Sequence, residues 1–370
     1  MTNKDEIDWL FVLPDDLIGG GAQQVLFTII NYFITKGKQC TVIFLVKKKH
    51  HGWESLEDKC NIVYLDNTSV YKGFFSAAKY ISTLKKTNHI KHAISSQALI
   101  NGLLGFLKLT KTLKHTKLVL RESTSIFLRF KGFKLLLYKT AYVIGYRQAD
   151  LIICQTDLMK QQLLEALPWL KQKNKVVVIP NPVNLNEITT KANRTIDFEI
   201  DNFIVAAGRF IPEKGFDLLI DAFNTLEDKS LKLVILGIGT EDETQKLKHQ
   251  IASLNLQNRV ILYGYVKNVY PIFNQAKLCV VSSRIEGFPN VLLQMMSQNN
   301  TVVSTKCAGE IANIKGVFTC ETHNVSALSN TMKNALTNTK AYRDLYFNDY
   351  IESRSIDNFI HTMLNQINHQ

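Results

Sequence analysis

No apolar run in this 370-residue chain approaches the roughly 20 residues that a bilayer-spanning helix needs. The six cysteines, at 40, 60, 154, 279, 307 and 320, form no CxxC pair. That spacing argues against a structural zinc site and suits a reducing compartment. No long polar or low-complexity tract is present: apolar residues make up 46% of the chain and charged residues 21%, ordinary values for a globular protein. The first eight residues are acidic and polar, and the apolar run that follows, Trp9–Leu13, has five residues. It reads as a buried strand and not as a signal-peptide core. Length alone suggests two or three domains.

Acidic residues are scarce in one half. The chain carries +12 overall. Up to Asn184 there are 26 basic and 13 acidic residues, giving +13; beyond it there are 18 and 19, giving −1. The excess is densest over 108–147, where ten basic residues face one acid, Glu122. Aromatic and aliphatic residues alternate with them, among them Phe127, Phe130, Phe133, Leu135, Leu136, Leu137 and Tyr138. Such a stretch suits an anionic membrane surface, with Arg129, Phe130, Lys131, Phe133 and Lys134 as contacts. It is equally compatible with a buried helix that has a solvated lysine face. A nucleic-acid surface is the weaker alternative, because no nucleic-acid motif accompanies the charge.

Hydrophobic periodicity alternates between strand and helix. Trp9–Leu13 is followed by Gly19-Gly20-Gly21, then by apolar residues at helical spacing from Ala22 to Ile34, ended by Gly37. Strands are expected at 41–46, 61–65, 92–95, 117–120, 150–153 and 175–179. The pattern restarts after Pro180-Asn181-Pro182, with strands at 203–207, 231–236, 259–262, 278–282 and 301–304. Alternation of this kind predicts doubly wound parallel sheets. The expected organisation is an N-terminal Rossmann-like domain over 1–184, a second over 185–352, and a C-terminal helix over 353–370 packing back on the first. In open α/β sheets ligands bind beyond the carboxyl ends of the strands. Two facing domains would place a cleft there.

Four features fall at predicted strand ends. Gly19-Gly20-Gly21 suits either a phosphate loop at a helix N-terminus or a tight turn. It is not a dinucleotide fingerprint, since Gln24 stands where the third glycine belongs. Gly208-Arg209-Phe210-Ile211-Pro212-Glu213-Lys214-Gly215 presents two cations that can flank a diphosphate, or two surface charges. In Ser282–Asn290, Gly287 would permit an unusual backbone and Pro289 suits a first helical turn. Glu286 is an acceptor for sugar hydroxyls, or a charge complementing the helix dipole. Gly237-Ile238-Gly239 is a loop shaping the site or a plain turn.

Gly-Arg-Phe-Ile-Pro-Glu-Lys-Gly-Phe-Asp-Leu-Leu-Ile-Asp-Ala-Phe (208–223) together with Glu-Gly-Phe-Pro-Asn-Val-Leu-Leu-Gln (286–294) resembles family 4 of the retaining, nucleotide-sugar-dependent glycosyltransferases, whose architecture is called GT-B. The glycine loop and its helix (19–46), Ile-Pro-Asn-Pro-Val (179–183) and Leu-Gly-Ile-Gly (236–239) extend the resemblance over most of the chain. It implies that Arg209 and Lys214 hold the donor diphosphate, with Gly208 also in the donor-binding set. Glu286 would contact donor-sugar hydroxyls, and the amides of Gly287, Phe288, Pro289 and Asn290 would line the sugar and phosphate site, proline contributing only backbone. Gly20 and Gly21 would close on the phosphates, and Tyr265 and Val266 would meet the nucleobase.

The sequence also departs from the family. The second Glu of the Glu-x7-Glu motif is Gln294, which can accept from ribose hydroxyls without a charge. Glu122, beside Arg121, stands where relatives often carry a His; either it lies on the acceptor side or it pairs with Arg121. The family's usual Asp after Pro-Asn-x-Val is Asn184. No Asp-x-Asp follows an apolar strand, so no metal and no cofactor are expected. The resemblance implies a cytoplasmic enzyme, peripheral on the inner face of the membrane, that transfers sugar to a glycan or lipid-linked glycan. A soluble carbohydrate enzyme of related fold and a basic nucleic-acid-binding protein are the alternatives.

Overall fold

The computed structural model describes residues 5–17, 21–49, 52–123, 126–173, 175–338 and 340–368, with backbone alone for residues 128, 129, 134 and 173. The chain divides into two compact units, Met1–Pro182 with Ile356–Gln370, and Val183–Ser355.

The first unit holds seven strands: β1 (Asp5–Leu13), β2 (Cys40–Phe44), β3 (Asn61–Tyr64), β4 (Asn88–Ser95), β5 (Lys117–Arg121), β6 (Leu151–Cys154) and β7 (Val176–Val178). They are all parallel, in the order β3-β2-β1-β4-β5-β6-β7. The apolar strand centres are covered on both faces, as a parallel sheet requires. Helices Val70–Thr87, Ala98–Leu109 and Gly132–Tyr146 bury Ile81, Leu104 and Tyr142 against one face. On the other face, helix Gly21–Thr35 packs Ile29 and Phe33 beside Phe359, Ile360 and Met363 of the last helix, Ile356–Asn368.

The second unit repeats the plan with β8 (Phe203–Ala207), β9 (Lys232–Leu236), β10 (Val260–Gly264), β11 (Leu278–Val281), β12 (Val302–Thr305) and β13 (Phe318–Cys320). Their order is β10-β9-β8-β11-β12-β13, again parallel. In each sheet the first strand lies between the second and the fourth, so the winding reverses there. The crevices of such sheets open at that reversal, beyond the carboxyl ends of β1 and β4 in one unit and of β8 and β11 in the other.

Two differences from the sequence reading have a common cause. β4 starts at Asn88, four residues before the apolar segment, because Asn88, His89 and Ile90 pair with Asp5, Glu6 and Ile7 of a β1 that also starts early. β13, absent from the sequence reading, is three residues long and exists by pairing with β12. In both cases partner strands supply the order that local hydrophobicity does not.

Candidate active site

In the second unit the reversal point gathers two of the predicted segments. β8 ends at Ala207, and the chain turns through Gly208 to Lys214 before helix Phe216–Asn224. Gly215 takes φ +63°, and a Cβ there would lie 2.3 Å from the Ser282 carbonyl oxygen. Only glycine allows that turn and that approach. Ser282 answers with its side chain: its hydroxyl donates to the Lys214 carbonyl at 2.9 Å. The Arg284 amide donates to the Glu213 carbonyl at 2.7 Å, and its guanidinium forks onto the Asp217 carboxylate. The loop after β8 and the loop after β11 are thus stitched together by bonds that only the tertiary fold can make.

Their junction places Lys214 Nζ 2.6 Å from Glu286 Oε1, each side chain about one-fifth exposed. Ser283 donates its hydroxyl to the same oxygen at 3.0 Å. The Glu286 amide donates to the Cys307 carbonyl at 2.7 Å, which ties this loop to the one after β12. The aliphatic stem of Lys214 lies over Gly208, where a Cβ would meet it at 3.2 Å. Arg209, one residue further, is exposed, and among the described residues its guanidinium has no ion-pair partner. A largely covered ion pair and a neighbouring exposed cation thus meet at the sheet reversal, a chemistry suited to an anionic group with hydroxyls beside it.

Gly287, Phe288 and Pro289 are buried, and Asn290 opens a seven-residue helix, Asn290–Met296. Gly287 is not among the described residues with positive φ; the left-handed glycine of the region is Gly215, where the chain must reverse under Ser282. Phe288 stacks on the guanidinium of Arg354 at 4.5 Å, and Tyr350 covers the same guanidinium at 4.5 Å. Arg354 also pairs with Glu310 at 3.3 Å. Sequence reasoning missed Arg354, which is far along the chain and has no motif around it. Ser283 and Arg284 lie within the Ser282–Asn290 segment, three and two residues before Glu286.

Gln294 is half-buried and hydrogen-bonds the hydroxyl of Tyr270, whose ionisation burial holds far above the ordinary range. Tyr265 is 58% exposed, whereas Val266 packs on the core of the unit. Gly237 and Gly239 are positions of close backbone approach. A Cβ at Gly237 would sit 1.8 Å from the Gly208 carbonyl oxygen, and one at Gly239 2.5 Å from Phe210 Cβ. The pair lets the loop after β9 press directly against Gly208–Phe210.

In the first unit Gly21 opens its helix and is exposed, while Gly20 lies outside the described residues. Arg121 and Glu122, expected on the acceptor side, are 1% and 4% exposed at the end of β5. Glu122 accepts from the hydroxyls of Tyr142, at 2.6 Å, and Tyr146. Arg121 donates to Asn181 and Ser96. Burial pushes the Glu122 carboxyl up to about 7 and the Arg121 guanidinium down to about 10. Both side chains are buried, and Glu122 is held by two tyrosines; no ion pair between Arg121 and Glu122 is found among the described residues.

The basic stretch is part buried and part exposed. Tyr142 and Tyr146 are buried, and Phe130 stacks on Tyr138. Lys131 is exposed and Phe133 is 83% exposed; the side chains of Arg129 and Lys134 lie outside the described atoms. No described helix is long and apolar enough to cross a membrane.

Residues 188–350 match the family of glycosyl transferases group 1. An uncharacterized glycosyltransferase of Methanocaldococcus jannaschii is 30% identical over 247 residues, 64% of this chain and 60% of that one. The N-acetylgalactosamine-N,N'-diacetylbacillosaminyl-diphospho-undecaprenol 4-alpha-N-acetylgalactosaminyltransferase of Campylobacter jejuni is 33% identical over 193 residues, 51% of each chain. The matches therefore span about half to three-fifths of these relatives. Among solved structures, Anabaena HepE in complex with UDP-glucose superposes with a TM-score of 0.80 at 17% identity, covering 98% of this chain and all of that one. Residues 188–350 thus match the group 1 glycosyltransferases, and the chain as a whole shares the GT-B fold of the solved structures it superposes on.

Proposed function

We propose that this protein is a retaining glycosyltransferase that moves a sugar from a nucleotide-diphosphate sugar to a glycan acceptor in the synthesis of a bacterial-type cell-envelope polysaccharide. The observation that carries the reading is the Lys214–Glu286 pair at the reversal point of the second sheet, with Arg209 in the same loop. In the transfer, the bond from the anomeric carbon to the diphosphate breaks and the diphosphate leaves with the electron pair. Arg209 and Lys214 stabilise that charge, which grows in the transition state. Glu286 accepts from donor-sugar hydroxyls, and the backbone of Gly287–Asn290 lines the sugar and phosphate. Gly208 seats Lys214. Tyr265 and Val266 meet the base, and Gln294 the ribose. The acceptor hydroxyl bonds to the anomeric carbon and passes its proton to an oxygen of the departing diphosphate. Retention of configuration rests on the family resemblance.

A lipid-linked acceptor is supported by the diphospho-undecaprenol named for the Campylobacter relative and by the basic, apolar 129–134 stretch. On this reading the protein works peripherally at the inner face of the membrane. The test is a thermal-shift panel of UDP, GDP, ADP and their sugar conjugates. A bound ligand at 100 times its Kd stabilises the fold by about 2.7 kcal/mol, a shift readily seen. One nucleotide and its sugar conjugates should raise Tm. A panel without any shift would sink the reading.

A further inference from the structure

Three helices lie side by side on one face of the first unit's sheet: Val70–Thr87, Ala98–Leu109 and Gly132–Tyr146. The last two pack in the same sense with their backbones almost touching, Gly102 against Ala141 and Gly105 against Gly145. The middle helix is therefore largely hidden, and the flanking two carry the outer surface. On helix 70–87 the face opposite Gly73, Ala77 and Ile81 shows Lys72, Phe75, Lys79 and Lys86 to solvent. Phe75 is 85% exposed and Tyr71 61%. On helix 132–146, Phe133 and Leu136 are 83% and 58% exposed.

Helices that follow strands of a parallel sheet begin at its carboxyl edge. Tyr71 and Phe75 sit in the first two turns of one such helix, and Phe133 and Leu136 in the first two of another. Both apolar pairs thus lie toward the edge where a doubly wound sheet takes its ligand. Charge says what covers them. The described cations exposed on these two helices are Lys72, Lys79, Lys86 and Lys139, and neither helix carries an acid. A second copy of that basic face would be repelled. An anionic surface that also admits apolar side chains is complementary to it.

We propose that helix 70–87 is a second membrane-contact element, in which Tyr71 and Phe75 insert among anionic lipids while Lys72, Lys79 and Lys86 bind their headgroups. The proposal rests on the peripheral-membrane part of the reading above and not on glycosyl transfer. Nothing in the local sequence marks this helix, since its neighbour 108–147 holds the denser charge.

The experiment is co-sedimentation of the full chain with vesicles of phosphatidylserine and phosphatidylcholine, and with phosphatidylcholine alone. Wild type should sediment with the mixed vesicles, less so as salt rises, because headgroup attraction decays within a Debye length. The double variant Tyr71→Ser/Phe75→Ser should lose at least tenfold in apparent affinity with an unchanged Tm, both side chains being outside the core. Lys72→Glu/Lys79→Glu should lose at least tenfold as well. Sedimentation equal to wild type in both variants overturns the proposal, as does equal binding to phosphatidylcholine alone. A wild-type dimer broken by Tyr71→Ser/Phe75→Ser would assign the face to a second copy and also overturn it. Nucleotide thermal shift, read on the same proteins, tests the transferase reading separately.

Discussion

Lys214 and Glu286, 72 residues apart, meet at 2.6 Å with four-fifths of each side chain covered. The pair joins the loop after β8 to the loop after β11 at the point where the second sheet reverses. A donor diphosphate would compete with Glu286 for Lys214, and the donor sugar's hydroxyls would compete with Lys214 for Glu286. The pair thus holds both groups in place before the donor arrives.

Lys214→Ala and Arg209→Ala should each lower turnover by about 10²–10³-fold, the usual cost of removing one preorganised charge stabiliser. Neither side chain belongs to a core cluster, so circular dichroism and Tm should stay close to wild type. Steady-state kinetics with the donor found in the nucleotide panel would check this. Near-normal turnover in either variant would remove the diphosphate assignment.

Gln294→Glu should tighten nucleotide binding roughly tenfold if residue 294 accepts from the ribose, because a hydrogen bond to a charged acceptor is stronger by about 1–1.5 kcal/mol. Calorimetry with the matching nucleoside diphosphate measures it. Unchanged affinity would mean that Gln294 serves only Tyr270.

Activity should survive excess EDTA, since the proposed charge stabilisers are side chains and backbone amides. Loss of turnover that Mg²⁺ or Mn²⁺ restores would contradict the mechanism.

Gly105→Ala should destabilise the first unit by about 1–3 kcal/mol or more, as overpacking of a tight interface does. The added Cβ would lie 2.2 Å from Gly145 Cα, backbone against backbone, with no flexible side chain to yield. Urea denaturation gives the number. A neutral result would show that the two helices can separate freely.

Glu122 predicts a pH dependence. Its carboxyl is raised from 4.5 to about 7 in the fold because it is buried. The folded state then binds the proton more tightly than the unfolded chain. Its contribution is fully present below about pH 4.5 and is lost as pH rises toward 7, by roughly 3 kcal/mol in all. Glu122→Gln cannot ionise and should flatten this part of the stability curve. Urea midpoints of both proteins at pH 5 and 7.5 test it: the wild type should lose more than the variant across that interval. Parallel behaviour would place the carboxyl near its ordinary value.

How far the sequence reached follows from which interactions are local. Alternating apolar runs and helical periodicity predicted both doubly wound sheets, because burying a strand on two faces and a helix on one leaves a pattern within a dozen residues. The two loop motifs, 208–215 and 286–294, were legible for a similar reason: glycine and proline constraints act on neighbouring residues. What no window could show was which side chains face each other. Lys214 reaches Glu286, and Arg284 reaches Asp217, only because β8 and β11 are adjacent across the reversal. Arg354 meets Phe288 from 66 residues away. For Glu122 the sequence left an acceptor contact and a pair with Arg121 equally open, and did not show the two tyrosines of helix 132–146 that hydrogen-bond it. The basic stretch could be counted in the sequence, but its division into a buried tyrosine face and an exposed Phe133 face was decided by the glycines that draw helices 98–109 and 132–146 together. Local chemistry determined the elements and the loops; long-range packing, through strand adjacency and helix contact, decided which charges pair, which are buried and which remain open to a ligand.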